Sequence, residues 1–203
     1  MDSLNTEQRI LQAAETEFLR NGYAATRTTA IAEAAGVTHA MLHYYFRSKD
    51  KLFENIVKEK IGLMGEMMLG SIGTPGKPLF ERLENAICRH LDFLAANPDL
   101  PRFFIVEIYS QSERLNTAVE AIMCAAEKVI AVLQEEIDAL AARGECRRVK
   151  AEMLLLDIIS LDIFSFIGAP IVERVLCGLF EHGNFLEERK RENIDTIMRK
   201  LKP

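Results

Sequence analysis

Apolar residues recur at spacings of three and four along almost the whole chain, and no run alternates apolar and polar as a half-buried strand would. Ile10, Leu11, Ala14 and Phe18 make one stripe over 6–21, with Thr6 as the expected N-cap and Gly22 as the stop. Ile31, Ala32 and Ala35 fit about two helical turns closed by Gly36. Thr38 caps a second short helix through Tyr44, and Ser48 a longer one that carries Leu52, Phe53, Ile56, Val57 and Ile61 on to Gly70. The stretch Gly73-Thr74-Pro75-Gly76-Lys77-Pro78 breaks the pattern. Beyond it, Leu79, Leu83, Ile87, Leu91 and Leu94 form a clean stripe ended by Asn97-Pro98. Helices are predicted over 99–110, over 116–143, and from Ala151 to a kink at Gly168-Ala169-Pro170. A last amphipathic helix over 186–201 points Ile194, Ile197, Met198 and Leu201 inward. The pattern predicts an all-α protein of about nine helices.

The two short segments have the requirements of a helix-turn-helix. Ala30, Ala32, Ala34 and Ala35 keep the first helix slim enough for a close crossing, and Gly36 tolerates the positive φ of the turn. Val37 supplies the apolar residue after it. The second helix offers Met41 or Leu42, then Tyr45 and Phe46, on one side and Thr38, His39 and His43 on the other.

Charge sharpens this reading. The chain of 203 residues has 25 Lys+Arg against 30 Asp+Glu, a net of -5, which by itself argues against a nucleic-acid-coating protein. Yet within 20–51 stand Arg20, Arg27, Arg47, Lys49 and Lys51 against Glu33 and Asp50, so a small basic island sits inside an acidic chain. His39 and His43 lie in that island at an i, i+4 spacing, which suits nucleic-acid contact and also a zinc pair, although no third ligand is adjacent.

The run TTAIAEAAGVTHAMLHYYFRSKDKLF, preceded by AAETEFLRNGYAAT, resembles the N-terminal domain of the TetR/AcrR-type transcriptional regulators over roughly Thr6 to Val57. The resemblance implies an N-terminal DNA-binding domain at 1–50. It implies a helical ligand-binding and dimerisation domain at 51–203, with the fourth helix, 48–70, as connector. It implies a homodimer on a pseudo-palindromic double-stranded operator, its recognition helices reading half-sites about 34–36 Å apart. His39 and Ala40 then fall at base-reading positions, and Thr28 and Thr29 at the start of the preceding helix, where phosphate is met. Thr38 caps the reading helix. His43 stands where most members have a phosphate-contacting tyrosine, Tyr44 and Tyr45 occupy the positions that follow, and Lys49 matches the usual phosphate-binding lysine. Arg27 departs from the usual Ser or Thr; it offers an extra phosphate or minor-groove contact, or a solvated arginine.

The C-terminal part is less explicit. By resemblance it holds a small-molecule effector, whose release of the operator makes the protein a repressor. Met64, Met67, Met68, Phe103, Phe104, Tyr109 and Met123 are candidate lining residues, since flexible Met and aromatic side chains suit an adaptable apolar cavity. Phe164, Phe166, Ile167, Ile194 and Ile197 are candidates for the dimer interface. Ordinary core packing is the competing reading of both sets. The apolar stretch Met153 to Val172 contains Asp157 and Asp162, each costing roughly 3 kcal/mol at a bilayer centre, so a buried helix is expected and no membrane partner.

Cys88, Cys124, Cys146 and Cys177 include no CxxC pair. Cys88 and Cys124 read as small buried hydrophobes, while Cys146 lies among Arg143, Arg147 and Arg148, where basic neighbours lower a thiol pKa. The first residues lack a basic-then-apolar signal pattern, so a reducing cytoplasm is the expected location. No nucleophile elbow, phosphate loop or metal triad appears, and neither an enzyme, a metal nor a cofactor is expected.

Overall fold

The computed structural model describes residues 5–109, 112–175 and 185–203. Among them are ten helices and no strand: α1 (Thr6–Ala25), α2 (Thr28–Ala34), α3 (His39–Phe46), α4 (Lys49–Ile72), α5 (Leu79–Ala96), α6 (Leu100–Tyr109), α7 (Ser112–Ala142), α8 (Ala151–Ile167), α9 (Ala169–Val175) and α10 (Phe185–Leu201). The expected kink at Gly168 separates two helices, which makes ten where the pattern predicts nine. A Cβ at Gly168 would stand 2.9 Å from the Phe164 carbonyl oxygen, so only glycine fits that break.

Helix ends follow local chemistry. The N-cap of α1 is Asn5, where Thr6 was expected. Its side chain accepts from the Gln8 N–H at 2.9 Å while Gln8 accepts from the Asn5 N–H at 3.1 Å, a reciprocal capping box that Thr6 does not form. Helix α7 begins at Ser112, earlier than the predicted 116.

The chain divides into two compact units. The first comprises Met1–Gly62 and Phe103–Ile122. Its core joins Ile10, Ala14 and Phe18 of α1 to Ile31 and Ala32 of α2, Leu42 and Phe46 of α3, and Leu52, Phe53, Ile56 and Val57 of α4. Phe103 and Ala118 complete it from α6 and the start of α7. The unit that holds the short helices thus extends past residue 50 and takes in a segment remote in sequence.

The second unit comprises Leu63–Arg102 and Met123–Pro203. The predicted stripe of α5 (Leu79, Leu83, Ile87, Leu91) packs with Val129, Leu133 and Ile137 of α7, Leu154 and Ile158 of α8, and Ile197 and Leu201 of α10. Gly65 serves close packing here, since a Cβ on it would lie 2.5 Å from the Ala125 Cβ.

Asp162, one of the two carboxylates of the apolar stretch, is fully buried in this unit. It accepts from His90 Nδ1 at 2.8 Å and from Asn193 Nδ2 at 2.7 Å; Arg189 Nη2 donates to the Asn193 amide oxygen at 2.6 Å. One polar network therefore ties α5, α8 and α10 through the core of this unit. Asp157, half-buried, pairs with Lys200 instead.

Asp162→Ala strands the His90 and Asn193 donors in the core. The substitution is expected to cost about 3 kcal/mol in urea unfolding, and the Asp162→Ala/His90→Ala double variant to fall short of the sum of the singles. Full additivity would mean that the network does not act as a unit.

Candidate nucleic-acid interface

The turn between α2 and α3 is built from its sequence outward. Ala35 is still right-handed, Gly36 takes φ 63°, and the Val37 N–H returns to the Ala32 carbonyl at 3.0 Å. Thr38 then caps α3 by accepting from the Met41 N–H at 3.2 Å. Between the two apolar candidates the structure selects Leu42 for the core and leaves Met41 and Tyr45 exposed.

This geometry turns one face of the short helices outward. Arg27, Thr29, Thr38, His39, Ala40, His43 and Tyr44 are all exposed, and Thr28 is half-buried. They are not independent groups. The Thr28 hydroxyl lies 2.9 Å from His39 Nε2, the His39 and His43 rings meet edge to face at 4.4 Å, and His43 Nδ1 lies 3.0 Å from the Arg47 carbonyl oxygen. Tyr44, 82% exposed, meets Tyr45 edge to face at 5.4 Å. Among the described residues no third metal-ligating side chain joins the histidine pair. The outward face therefore presents hydroxyls, imidazoles, a phenol and a guanidinium, groups that hydrogen-bond base edges and phosphates.

Lys49, the expected phosphate lysine, is already engaged with backbone carbonyls. Its ammonium donates to the carbonyls of Tyr23 at 2.8 Å and Thr26 at 2.9 Å, and it sits 4.3 Å from the centre of the Tyr23 ring. The side chain closes the C-terminal end of α1, whose carbonyls have no partner within the helix. Burial pushes its pKa below the usual lysine range, against the opposing pull of Asp50.

Beside it lies a cluster that the sequence pattern does not reveal. The Arg114 guanidinium lies 3.4 Å over the Tyr23 ring, donates to Glu107 at 3.2 Å, and stands 3.7 Å from Asp50. Glu107 also accepts from the Tyr23 N–H at 2.9 Å, and the Tyr23 hydroxyl donates to Asp50 at 2.5 Å. Burial, and then the bond to Asp50, push the Tyr23 phenol up to about 12.

The remaining candidates scatter. Phe103 and Phe104 belong to the first unit's core, while Met68 is buried in the second. Met64 and Met67 are half-buried, and Met123 is exposed. The side chain of Tyr109 lies outside the described residues. Of the interface candidates, Ile197 is buried in the core of its own chain, which corrects its assignment to an interface. Ile194 and Phe166 pack partly against that core, Ile167 is half-buried, and Phe164 is 66% exposed. The cysteines invert their expected placement. Cys146 is buried, Cys124 is exposed and Cys88 is half-buried. Burial, and then the Glu145 carboxylate, push the Cys146 thiol up against the opposing pull of Arg143. Cys177 lies outside the described residues.

The fold and this face define a helix-turn-helix protein. Residues 10–56 match the model of the bacterial regulatory proteins of the tetR family. It is 33% identical over 102 residues to the HTH-type transcriptional repressor SCO4008 of Streptomyces coelicolor, the match covering 50% of this chain and 49% of that one. It is 27% identical over 115 residues to the fatty acid metabolism regulator protein of Bacillus subtilis, covering 57% and 59%. The chain thus spans about half the length of these two curated relatives. Among solved structures, the fatty acid degradation regulator FadR of Bacillus halodurans shares the fold at a TM-score of 0.70, with 16% identity and 96% and 97% of the two chains covered. No helix among the described residues is long and apolar enough to cross a membrane.

A phenol whose folded pKa is raised keeps its stabilising contribution below pH 10 and loses it as the pH climbs toward 12. In a phenolate absorbance titration one of the four tyrosines is expected to ionise near pH 12, and Tyr23→Phe to remove that step. Four tyrosines titrating together near 10 would contradict the Asp50 bond.

Proposed function

We propose that this protein is a homodimeric transcriptional repressor that α3 docks into the major groove of a pseudo-palindromic operator. The observation that carries this reading is the exposed row on the short helices, from Arg27 and Thr29 through Thr38, His39 and Ala40 to His43 and Tyr44, held by a turn that depends on Gly36. Thr28 and Thr29 meet phosphate, His39 and Ala40 approach base edges, and His43 stands at the position of a phosphate contact. Residues 1–50 form the DNA-binding domain and 51–203 the ligand-binding and dimerisation domain. Helix α4 connects them.

Dimerisation is supported by the apolar face that α8 and α9 leave exposed among the described residues. Met153, Leu156, Phe164, Ile171 and Val175 are all exposed, more apolar surface than single scattered residues account for. A second copy on this face brings two reading helices to two half-sites. The relatives' names as repressors, and two relatives' names as regulators of fatty acid metabolism or degradation, support a repressor with a lipophilic effector. Release requires that the effector bind one body conformation more tightly than the DNA-bound one.

A gel shift on DNA upstream of the protein's own gene, titrated with salt, tests this reading. A discrete complex whose log affinity falls steeply with log salt is expected. A complex indifferent to DNA sequence, or none, would contradict it.

A further inference from the structure

The bonds around the two histidines of α3 assign their proton positions unequally. The partner of His39 Nε2 is the Thr28 hydroxyl, which either donates or accepts, so it leaves the His39 tautomer open. The partner of His43 Nδ1, 3.0 Å away, is a carbonyl oxygen, which only accepts. His43 Nδ1 therefore carries a hydrogen, and in the neutral ring Nε2 carries a bare lone pair on an exposed side chain.

A bare lone pair on the reading face is selective. In the major groove it matches the exocyclic amines, adenine N6 and cytosine N4. It is repelled by guanine O6 and N7, by thymine O4 and by phosphate oxygens, all of which are acceptors. A phosphate contact, the role expected from the position of His43, needs a proton on Nε2 and hence the imidazolium. Arg47 stands four residues further along the chain, and the His39 ring lies 4.4 Å from that of His43. Helix α2, packed on α3, carries Arg27 at its N-cap and Glu33 near its end, one charge of each sign.

We propose that His43 is a specificity-determining base reader, its Nε2 accepting a hydrogen bond from the exocyclic amine of an adenine or cytosine. This rests on the reading of α3 as the DNA-contacting helix and names the base chemistry it selects. The backbone bond to Arg47 is the positioning device: it holds the ring and sets which nitrogen faces outward.

Two measurements on the full chain test the proposal. In free protein at pH 8, long-range proton–nitrogen correlation is expected to show His43 with Nδ1 protonated and Nε2 bare, the minority tautomer of free histidine. The opposite tautomer overturns the proposal without touching the DNA reading. The second uses an operator selected from randomised DNA. Each adenine of a half-site is replaced in turn by purine, and each cytosine by 2-pyrimidinone, which deletes only the amine. One position is expected where wild type loses about tenfold in affinity and His43→Ala, folded by circular dichroism, loses nothing. Absence of any such coupled position overturns the assignment. So does an affinity that rises from pH 8 to pH 6 in wild type and stays flat in His43→Ala, the signature of an imidazolium on phosphate. If no operator is selected at all, the DNA reading fails and the base assignment with it, whatever the tautomer.

Discussion

The first unit depends on the Arg114 guanidinium, buried 3.4 Å over the ring of Tyr23 and held between the carboxylates of Glu107 and Asp50. Stacking on a ring contributes about 2 kcal/mol when the cation is desolvated, and a buried cation without its carboxylates costs several times that. The arrangement is therefore close to all-or-none. Through it, residues 103–122 become part of the same body as α1 to α3, and Phe103 and Ala118 fill the core that also seats Leu42 and Phe46 of the reading helix. Lys49 joins the same group by closing the end of α1 on the carbonyls of Tyr23 and Thr26. A side chain expected at a phosphate position ties the end of α1 to the start of α4.

With the interior fixed this way, the outward face is left to short-range chemistry. Thr38 caps, Gly36 turns, and Thr28, His39, His43 and the Arg47 carbonyl hold one another in a chain of contacts. Preorganised groups of this kind lose little freedom on binding, so more of each hydrogen bond appears as affinity or selectivity. The charge distribution agrees. The chain carries a net -5, while the reading helices lie in a stretch, 20–51, with an excess of basic residues. An acidic remainder disfavours indiscriminate adhesion to DNA and leaves recognition to that stretch.

What could be read from sequence divides by the range of the interaction. The helix-turn-helix was legible because Ala32, Gly36, Val37 and Thr38 act on neighbours within a few residues. The stripe of α5 and the break at Gly168 were legible for the same reason. Arg114 was not, since its partners Tyr23 and Asp50 are remote along the chain and a lone arginine in a helical run has no signature. A hint existed in Glu107 and Arg114 flanking the end of α6, but nothing in the pattern says what they hold. Cys146 misled because its basic neighbours are satisfied by Glu145 and Asp138, so burial decides its chemistry. Ile197 shows the limit of periodicity: an inward stripe marks burial and does not say whether the chain's own core or a partner provides it. Its burial within the single chain assigns Ile197 to that chain's own core.

Amide hydrogen exchange on the full chain, comparing wild type with Arg114→Met, addresses the clamp most directly. If Arg114 binds residues 103–122 into the first unit, the substitution speeds exchange by about tenfold or more in α6, in the start of α7 and at the junction of α1 with α4, and leaves α8 and α10 unchanged. Unaltered protection in 103–122, or loosening spread evenly into α8 and α10, would contradict the account.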